Sequence, residues 1–120
     1  MSPHPEAHWR AALAEGRLLL QRARASGTAF FPPRIMEPGT GDEEVEWIEA
    51  SGMGTVYAVT VVHPRPPAEP YDVALIDLDE RVRLMSRVDG IAAEAVRIGQ
   101  RVRARIVEEE GQPLLVFEAV

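Results

Sequence analysis

The sequence predicts a mainly β protein: a short helix, a ribbon-like hairpin and then a β-barrel. Three observations lead to this fold class. A short amphipathic segment opens the chain, two glycine turns follow at ribbon spacing, and strand patterns fill the rest. We place the helix and ribbon in residues 1–44 and the barrel in residues 45–120. A chain of 120 residues is long enough for one compact core of this kind.

Residues 6–15 predict a short helix, because Trp9, Ala12 and Leu13 fall on one helical face. Gly16 follows, where a glycine often ends a helix. A helix of this length is not stable alone, so its apolar face must pack on something. Two alternatives stay open. The face belongs to the core of this chain, or it docks on a partner protein, since Trp is enriched among interface anchors.

Residues 22–41 have the layout of a zinc ribbon from which the metal ligands are missing. A ribbon needs two C-x-x-C turns, each followed by a glycine with positive φ. Gly27 and Gly41 stand where those glycines belong. The four ligand positions would be Ala23, Ser26, Glu37 and Thr40. The chain has no Cys, so we predict no zinc and no thiolate metal site.

The hairpin of this ribbon needs another source of order, because a metal ordinarily supplies much of a ribbon's folding free energy. Residues 18–22 and 29–31 predict its two strands. We expect Phe30, Phe31 and Ile35, or a partner, to supply the packing. The acidic run 42–44 is expected to be a solvated turn.

From residue 45 onward the pattern is β throughout. The predicted strands cover residues 45–50, 55–63, 71–78, 81–86 and 101–106, and a turn at Gly111 leads into residues 114–117. Residues 89–98 carry helical spacing through Ile91, Ala95 and Ile98. Five principal strands, with a short helix before the fifth, follow the order of an OB-fold barrel.

Composition and charge exclude several classes of function. The chain is 46% apolar and has no run long enough to span a membrane. Its N-terminus lacks the basic and apolar regions of a signal peptide, so we expect a cytoplasmic protein. Residues 1–36 carry five Arg against two acids, whereas residues 37–120 carry eight Arg against seventeen acids. An acidic barrel argues against nucleic acid, although the N-terminal third could face the phosphates of a small ligand.

No catalytic constellation can be assembled, so we predict no enzyme activity and no catalytic residue in this chain. His63 ends the main strand without a second His nearby, which suits a structural residue better than a catalyst. His4 and His8 have metal-compatible spacing, but His4 lies between two prolines near the chain end. Phosphate-loop, dinucleotide and nucleophile-elbow motifs are absent from the sequence.

Several separated motifs carry a resemblance to a known family. They are Gly16-Arg17-Leu18, Gln21-Arg22, Gly27, Phe31-Pro32-Pro33-Arg34, the strand from Ser51-Gly52 to Tyr57, and Thr60-Val61-Val62-His63. The chain resembles the zinc-ribbon plus OB-fold proteins associated with acyl-CoA enzymes, the family known as domain of unknown function 35. The departure from the family is that all four cysteine positions differ.

The resemblance implies a non-catalytic accessory subunit. Such a subunit binds a thiolase-like enzyme, or an acyl-CoA hydratase or aldolase, in a hetero-oligomer and helps to form its acyl-CoA channel. The catalytic groups then belong to the partner. No cofactor is predicted, although acyl-CoA could be a ligand shared with the partner.

Two sets of candidate site residues follow. Those that could contact CoA phosphates or a partner are Arg17, Arg22, Arg24, Phe31 and Arg34. Those that could contact the partner protein are Trp9, Leu13, Phe30, Phe31, Pro32 and Pro33. The competing interpretation of the Phe-Pro-Pro-Arg stretch is a linker between ribbon and barrel with two core phenylalanines.

Three other functions remain as alternatives. The first is a stand-alone acyl-CoA or lipid binder without an obligate enzyme. The second is an OB-fold nucleic-acid binder, which the net charge of −6 and the low aromatic content of 6% disfavour. The third is an enzyme acting through His63.

Overall fold

The computed structural model describes residues 4–41 and 43–120. One helix, α1, covers Pro5–Ala14. A three-stranded sheet contains β1 (Leu19–Ala23), β2 (Ala29–Phe30) and β3 (Val45–Glu49). A six-stranded sheet contains β4 (Met53–Val62), β5 (Tyr71–Leu78), β6 (Arg83–Ser86), β7 (Val88–Asp89), β8 (Arg101–Glu109) and β9 (Gln112–Ala119). The chain start at residues 1–3 and Asp42 of the acidic run lie outside the described residues.

Helix α1 packs on its own chain. Pro5 at its first turn has a φ already suited to a helix, and Gly16 ends it with a φ of +82°. Leu13 is buried, with 2% of its surface exposed. The indole Nε1 of Trp9 donates a hydrogen bond of 2.9 Å to the carbonyl of Leu19. The helix is therefore fixed to the first ribbon strand by packing and by one directed bond.

The ribbon sheet has the order β2-β1-β3 and is antiparallel. Strand β1 lies in the centre and pairs with β3 over its whole length, from Leu19 opposite Glu49 to Ala23 opposite Val45. The predicted domain boundary between residues 44 and 45 precedes β3 directly. That boundary stays a prediction, and the pairing of β3 with β1 joins residues 45–49 to the ribbon sheet.

The barrel sheet has the order β6-β5-β4-β8-β9-β7. All its pairs are antiparallel except β7 with β9, which is parallel. The carboxylate of Asp72 on β5 accepts a 2.8 Å hydrogen bond from the backbone N–H of Val88 on β7. These two strands are not neighbours in the sheet order, so the bond links one end of the sheet to a strand near the other end. This mainly β architecture, with an N-terminal helix and an OB-fold domain, confirms the predicted fold class.

The barrel strands approach closely at Gly54 on β4. A Cβ at this position would lie 2.9 Å from the carbonyl oxygen of Asp77 and 2.9 Å from Cγ2 of Ile76, so no larger residue fits without movement of β5. The register between β4 and β5 shifts by one residue between Val56 and Ala58. Such a bulge bends the strand, as barrel closure requires.

A single apolar core joins the helix, the ribbon and the barrel. Its helix and ribbon members are Leu13, Leu18 and Leu20. Its barrel members are Val56, Ala74, Ile76, Leu78, Val82, Leu84, Val88, Val96, Val102, Leu115 and Phe117. The ribbon therefore obtains part of its order from apolar burial shared with the barrel.

Two sequence predictions are wrong: the helical segment at residues 89–98 and the packing of Ile35. Residues 89–98 form only one 3-10 turn, Ala93–Ala95, because Ala92 and Val96 on either side are extended. Ile98 is 70% exposed and so does not belong to an apolar helix face. Ile35 is also exposed, at 55%, and therefore does not order the ribbon, whereas Phe30 is buried as predicted.

Within the described residues, no helix has the length and apolar character needed to cross a bilayer.

Candidate functional site

The side chain of Gln21 holds the segment that leaves the ribbon, residues 32–34, which we call the ribbon exit. This residue on β1 is 1% exposed. Its Nε2 donates to the carbonyl of Arg34 at 2.6 Å, and the N–H of Arg34 donates to its Oε1 at 2.5 Å. The preceding prolines, 32 and 33, have no N–H and cannot extend the ladder of β2. The amide of Gln21 therefore replaces a strand neighbour and fixes the backbone that carries Arg34.

The two glycine turns of the ribbon have the same backbone form. In the first, the N–H of Gly27 donates to the carbonyl of Ala23 at 2.8 Å. In the second, the N–H of Gly41 donates to the carbonyl of Glu37 at 3.0 Å. The φ angles of the two glycines are +72° and +73°. The ribbon layout predicted from glycine spacing is thus present as a pair of matching turns.

A carboxylate connects the two turns. Glu37 is 7% exposed. It accepts from the hydroxyl of Ser26 at 2.8 Å through Oε2 and from the hydroxyl of Thr40 at 2.6 Å through Oε1. Both oxygens of a buried carboxylate are thus satisfied by neutral donors, one from each turn. We call Ser26, Glu37 and Thr40 the ribbon cluster.

The ribbon cluster does not fit a zinc ion. Structural zinc takes four ligands, thiolates or imidazoles in most sites. The corresponding positions here offer one methyl group at Ala23, two hydroxyls and one carboxylate whose oxygens both accept hydrogen bonds. Among the described residues, no group of three or more His, Cys, Asp or Glu side chains is placed to hold a metal ion.

Three of the four predicted phosphate-binding arginines are paired with acids of β3. Arg17 donates from Nε to Glu49 at 2.9 Å, and this hydrogen bond raises the pKa of Arg17. Arg22 lies 2.7 Å from Glu46, opposite it in the sheet, and Arg24 lies 3.8 Å from the same carboxylate. These side chains are largely exposed, so the pairs are screened by solvent. Their charges are nonetheless offset in part, because Glu46 and Glu49 supply two carboxylates for the three arginines.

Arg34 differs from these three. Its side chain is exposed, and within residues 4–41 and 43–120 no carboxylate lies within ion-pair distance of it. Arg34 and Ile35 border two shallow depressions, one of which extends to the start of α1 and the other to the second turn, from Met36 to Gly41. Of the predicted cations, Arg34 is thus the best placed to meet an external anion.

The residues predicted to contact a partner divide by accessibility. Leu13 and Phe30 are buried within the chain. Trp9 and Phe31 are half-buried and pack against each other, with ring centroids 5.4 Å apart. Pro32 is exposed and Pro33 half-buried. Contact with a partner stays a prediction for this set. Trp9, Phe31, Pro32 and Pro33 are accessible enough to make such a contact.

Two adjoining depressions, lined mainly by apolar side chains, form a groove that the sequence analysis did not identify. Both are bordered by Met85, Leu114 and Leu115. One reaches Trp9 and Phe31, and the other reaches Tyr71. We call this surface the Met85 groove. Met85 is 70% exposed, Tyr71 51% and Leu114 36%. The signal in the sequence was the alternation along β6, which places Leu84 inside and Met85 outside.

The histidines do not form a reactive site. His63 is exposed directly after the end of β4. The ring of His8 packs against Trp47 at a centroid distance of 4.7 Å, on the helix side of the ribbon sheet. Within residues 4–41 and 43–120, the geometry offers surfaces for binding and brings together no acid, base and nucleophile.

Comparison with known proteins identifies the family. The family profile described as "ChsH2, C-terminal OB-fold domain" matches residues 47–107, about half of the chain. A DUF35 domain-containing scaffold protein of Methanocaldococcus jannaschii is 34% identical over 110 residues, which cover 86% of this chain and 78% of the relative. The chain belongs to the DUF35 family.

Solved structures agree with membership in DUF35. The chain superposes with a TM-score of 0.84 and 35% identity on a chain described as "Ltp2-ChsH2(DUF35) aldolase", covering 98% of this chain and 96% of that one. A DUF35 protein of Sulfolobus solfataricus superposes with a TM-score of 0.69 at 17% identity, a likeness that concerns the fold alone.

Two other relatives of this chain are much longer. The probable enoyl-CoA hydratase alpha subunit of Thermomonospora curvata is 39% identical over 99 residues, which cover 80% of this chain but 31% of the relative. The 3-oxo-4,17-pregnadiene-20-carboxyl-CoA hydratase alpha subunit of Mycobacterium tuberculosis is 32% identical, and 33% of its length is covered. This chain thus spans about a third of the length of these two relatives.

Proposed function

We propose that this DUF35 chain is a non-catalytic accessory subunit of an acyl-CoA enzyme, with an aldolase or a hydratase as the first candidates and a thiolase-like enzyme as the next. One observation carries the proposal: the end-to-end similarity to a chain of the Ltp2-ChsH2(DUF35) aldolase. The two longer relatives are named as alpha subunits of CoA-ester hydratases, which supports the same class of substrate.

The side-chain chemistry of the chain supports a non-catalytic role. General acid–base work requires a titratable group within hydrogen-bond reach of the substrate in a protected site. The buried carboxylates Glu37 and Asp72 are engaged by hydroxyls and a backbone N–H, respectively. His63, the histidine at the end of the main strand, is exposed. The reacting groups therefore come from the partner enzyme in this proposal.

Two surfaces are the proposed contacts. At the ribbon exit, Arg34 offers a planar cation that suits a phosphate or carboxylate, next to Phe31 and Pro32. Arg17, Arg22 and Arg24 are less suited to CoA phosphates than Arg34, because each already lies beside a carboxylate of β3. The Met85 groove offers apolar area for the partner protein, because large exposed apolar side chains that border one depression favour protein contact. We place the complex in the cytoplasm as a hetero-oligomer.

Capture from extracts of the source organism, with the tagged full-length chain as bait, tests the proposal. The expected result is stoichiometric recovery of an acyl-CoA aldolase, hydratase or thiolase. The captured enzyme should be less active or less stable when the chain is omitted on co-expression, and the isolated chain should convert no acyl-CoA.

Two results would contradict the accessory role. One is conversion of an acyl-CoA by the isolated chain, abolished in His63→Ala. The other is heat of binding with acyl-CoA in calorimetry of the isolated chain, combined with no enzyme recovered. That second pattern would support the stand-alone binder instead.

A further inference from the structure

The two matching turns of the ribbon require something to hold them together. In a zinc ribbon, the metal bonds both turns at once and supplies folding free energy. The residues of this chain do not fit zinc, yet the turns keep the same form, with glycine φ angles of +72° and +73°. The ribbon therefore has a different connection between its turns.

We propose that the carboxylate of Glu37 takes the structural place of the metal. It belongs to the second turn and reaches the first through the hydroxyl of Ser26, at 2.8 Å. Its other oxygen binds the hydroxyl of Thr40, which closes the second turn, at 2.6 Å. Ser26, Glu37 and Thr40 stand at three of the four ligand positions that the glycine spacing assigns, so these side chains replace residues that would bind the metal.

The chemistry of the cluster suits a structural connection. Hydrogen bonds to an ionised acceptor are about twice as strong as neutral ones. Glu37 is 7% exposed, so water has little access to the carboxylate, although the residues that carry the two hydroxyls are exposed. The Ser26 hydroxyl also accepts from the N–H of Thr28 at 3.2 Å, so it accepts one hydrogen bond while it donates its proton to the carboxylate. Donor and acceptor directions are thus mutually consistent.

The fourth ligand position supports the same replacement. Ala23 is completely buried, with 0% of its surface exposed. Its backbone still receives the turn bond from Gly27, at 2.8 Å. A methyl group here leaves the centre of the cluster to the carboxylate, whereas a polar side chain would need a further partner.

Amide hydrogen exchange of the full-length chain separates this proposal from its rival, in which the shared apolar core alone holds the ribbon. Glu37→Ala should lower the protection of the Gly27 and Gly41 amides at least about tenfold, the change expected from loss of one charge-assisted hydrogen bond. The milder variant Ser26→Ala leaves the Glu37 carboxylate in place and removes its bond to the first turn, together with the bond from the N–H of Thr28, and should lower protection at Gly27. Glu69→Ala, an exposed glutamate in the proline-rich loop, is the matched control and should leave both amides unchanged.

Restoration of the metal gives a second, independent readout. A variant with Ala23→Cys, Ser26→Cys, Glu37→Cys and Thr40→Cys should bind one zinc per chain and recover the protection of both glycine amides. The wild-type chain should show no change in protection with added zinc or with chelator. Unchanged amide protection in Glu37→Ala and Ser26→Ala, or a four-cysteine variant that folds but binds no zinc, would overturn the proposal.

Discussion

The side-chain amide of Gln21 forms two hydrogen bonds with the backbone of Arg34: its Nε2 donates to the carbonyl at 2.6 Å, and its Oε1 accepts from the N–H at 2.5 Å. A side chain that is 1% exposed thus binds both backbone polar groups of one residue, as a residue of a neighbouring strand would. The relationship couples the buried centre of the ribbon sheet to the exposed cation at its exit.

Substitution of Gln21 by Leu should destabilise the chain. Leu has similar volume but leaves the N–H and C=O of Arg34 without these partners, and an unsatisfied buried polar group costs about 1–3 kcal/mol. We expect a loss of about 2 kcal/mol or more in the free energy of unfolding, measured by urea denaturation. Gln112→Leu, the same chemical change at an exposed position on β9, should have little effect. Equal stability of the two variants would contradict the role given to Gln21.

Asp72 should be required as a hydrogen-bond acceptor more than as a charge. It is 6% exposed and accepts from the N–H of Val88 on the short strand β7. Asp72→Ala should cost about 1–3 kcal/mol in the free energy of unfolding, because it leaves that N–H unsatisfied. Asp72→Asn keeps an acceptor oxygen in place and should retain most of the stability. Calorimetric melting of both variants measures the difference, and an Asn variant as unstable as the Ala variant would show that the charge itself is needed.

Two exposed ion pairs should make stability depend on pH in the acid range. A hydrogen bond from Arg101 lowers the pKa of Asp79, and one from Arg87 lowers the pKa of Glu109. A carboxyl whose pKa is lower in the folded chain contributes stability at neutral pH that is lost as the pH falls through its folded pKa. The double variant Asp79→Asn, Glu109→Gln should therefore differ most from wild type near neutral pH.

The same difference should shrink as the pH falls below about 4, where the unfolded carboxyls are already protonated. Urea denaturation at a series of pH values measures it. Glu108→Gln, next to Glu109 and exposed, is the control and should follow the wild-type curve. A double variant that runs parallel to wild type down to acid pH would refute the contribution of these pairs.

Met85→Asp should weaken capture of the partner enzyme without unfolding the chain. Met85 is 70% exposed, so its replacement costs little in the isolated subunit but introduces a charge into an apolar contact. Ile98→Asp is the matched control, since Ile98 is also 70% exposed and does not border the Met85 groove. Surface plasmon resonance with the captured enzyme should show at least about a tenfold faster dissociation for Met85→Asp alone. Equal binding by both variants would move the contact away from this groove.

The sequence allowed the strands to be predicted well because their information is local. The alternation along β8 and the β-branched run of β4 identify strands without knowledge of their neighbours. The helical spacing at 89–98 gave a wrong prediction, because local spacing does not show which residues pack. Ile91 and Ile98 have the right separation, but glycines with positive φ at 90 and 99 bound the segment, and the packed residues are Ala93 and Val96.

The candidate site was harder to predict, because its contacts are distant in sequence. The sequence predicts that Arg22 is available to a phosphate. The pairing of β1 with β3 instead brings it to Glu46, which is 24 residues away in the chain. The sequence identifies Glu37 only as a ligand position that lacks its cysteine. Its hydrogen bonds to Ser26 and Thr40 depend on two turns meeting in space, although a Ser, a Glu and a Thr at vacated ligand positions were a signal that these positions are still polar.

Leu18 and Leu20 of the ribbon share one apolar core with Val56 and Phe117 of the barrel. The two parts should consequently melt together, in a single transition. Any free energy that a partner contributes at the ribbon exit is then added to the stability of the barrel as well, since ligands that bind only the folded state stabilise the whole cooperative unit. In a cell, an unassembled copy would lose that contribution throughout its length, and its abundance should follow the supply of its partner.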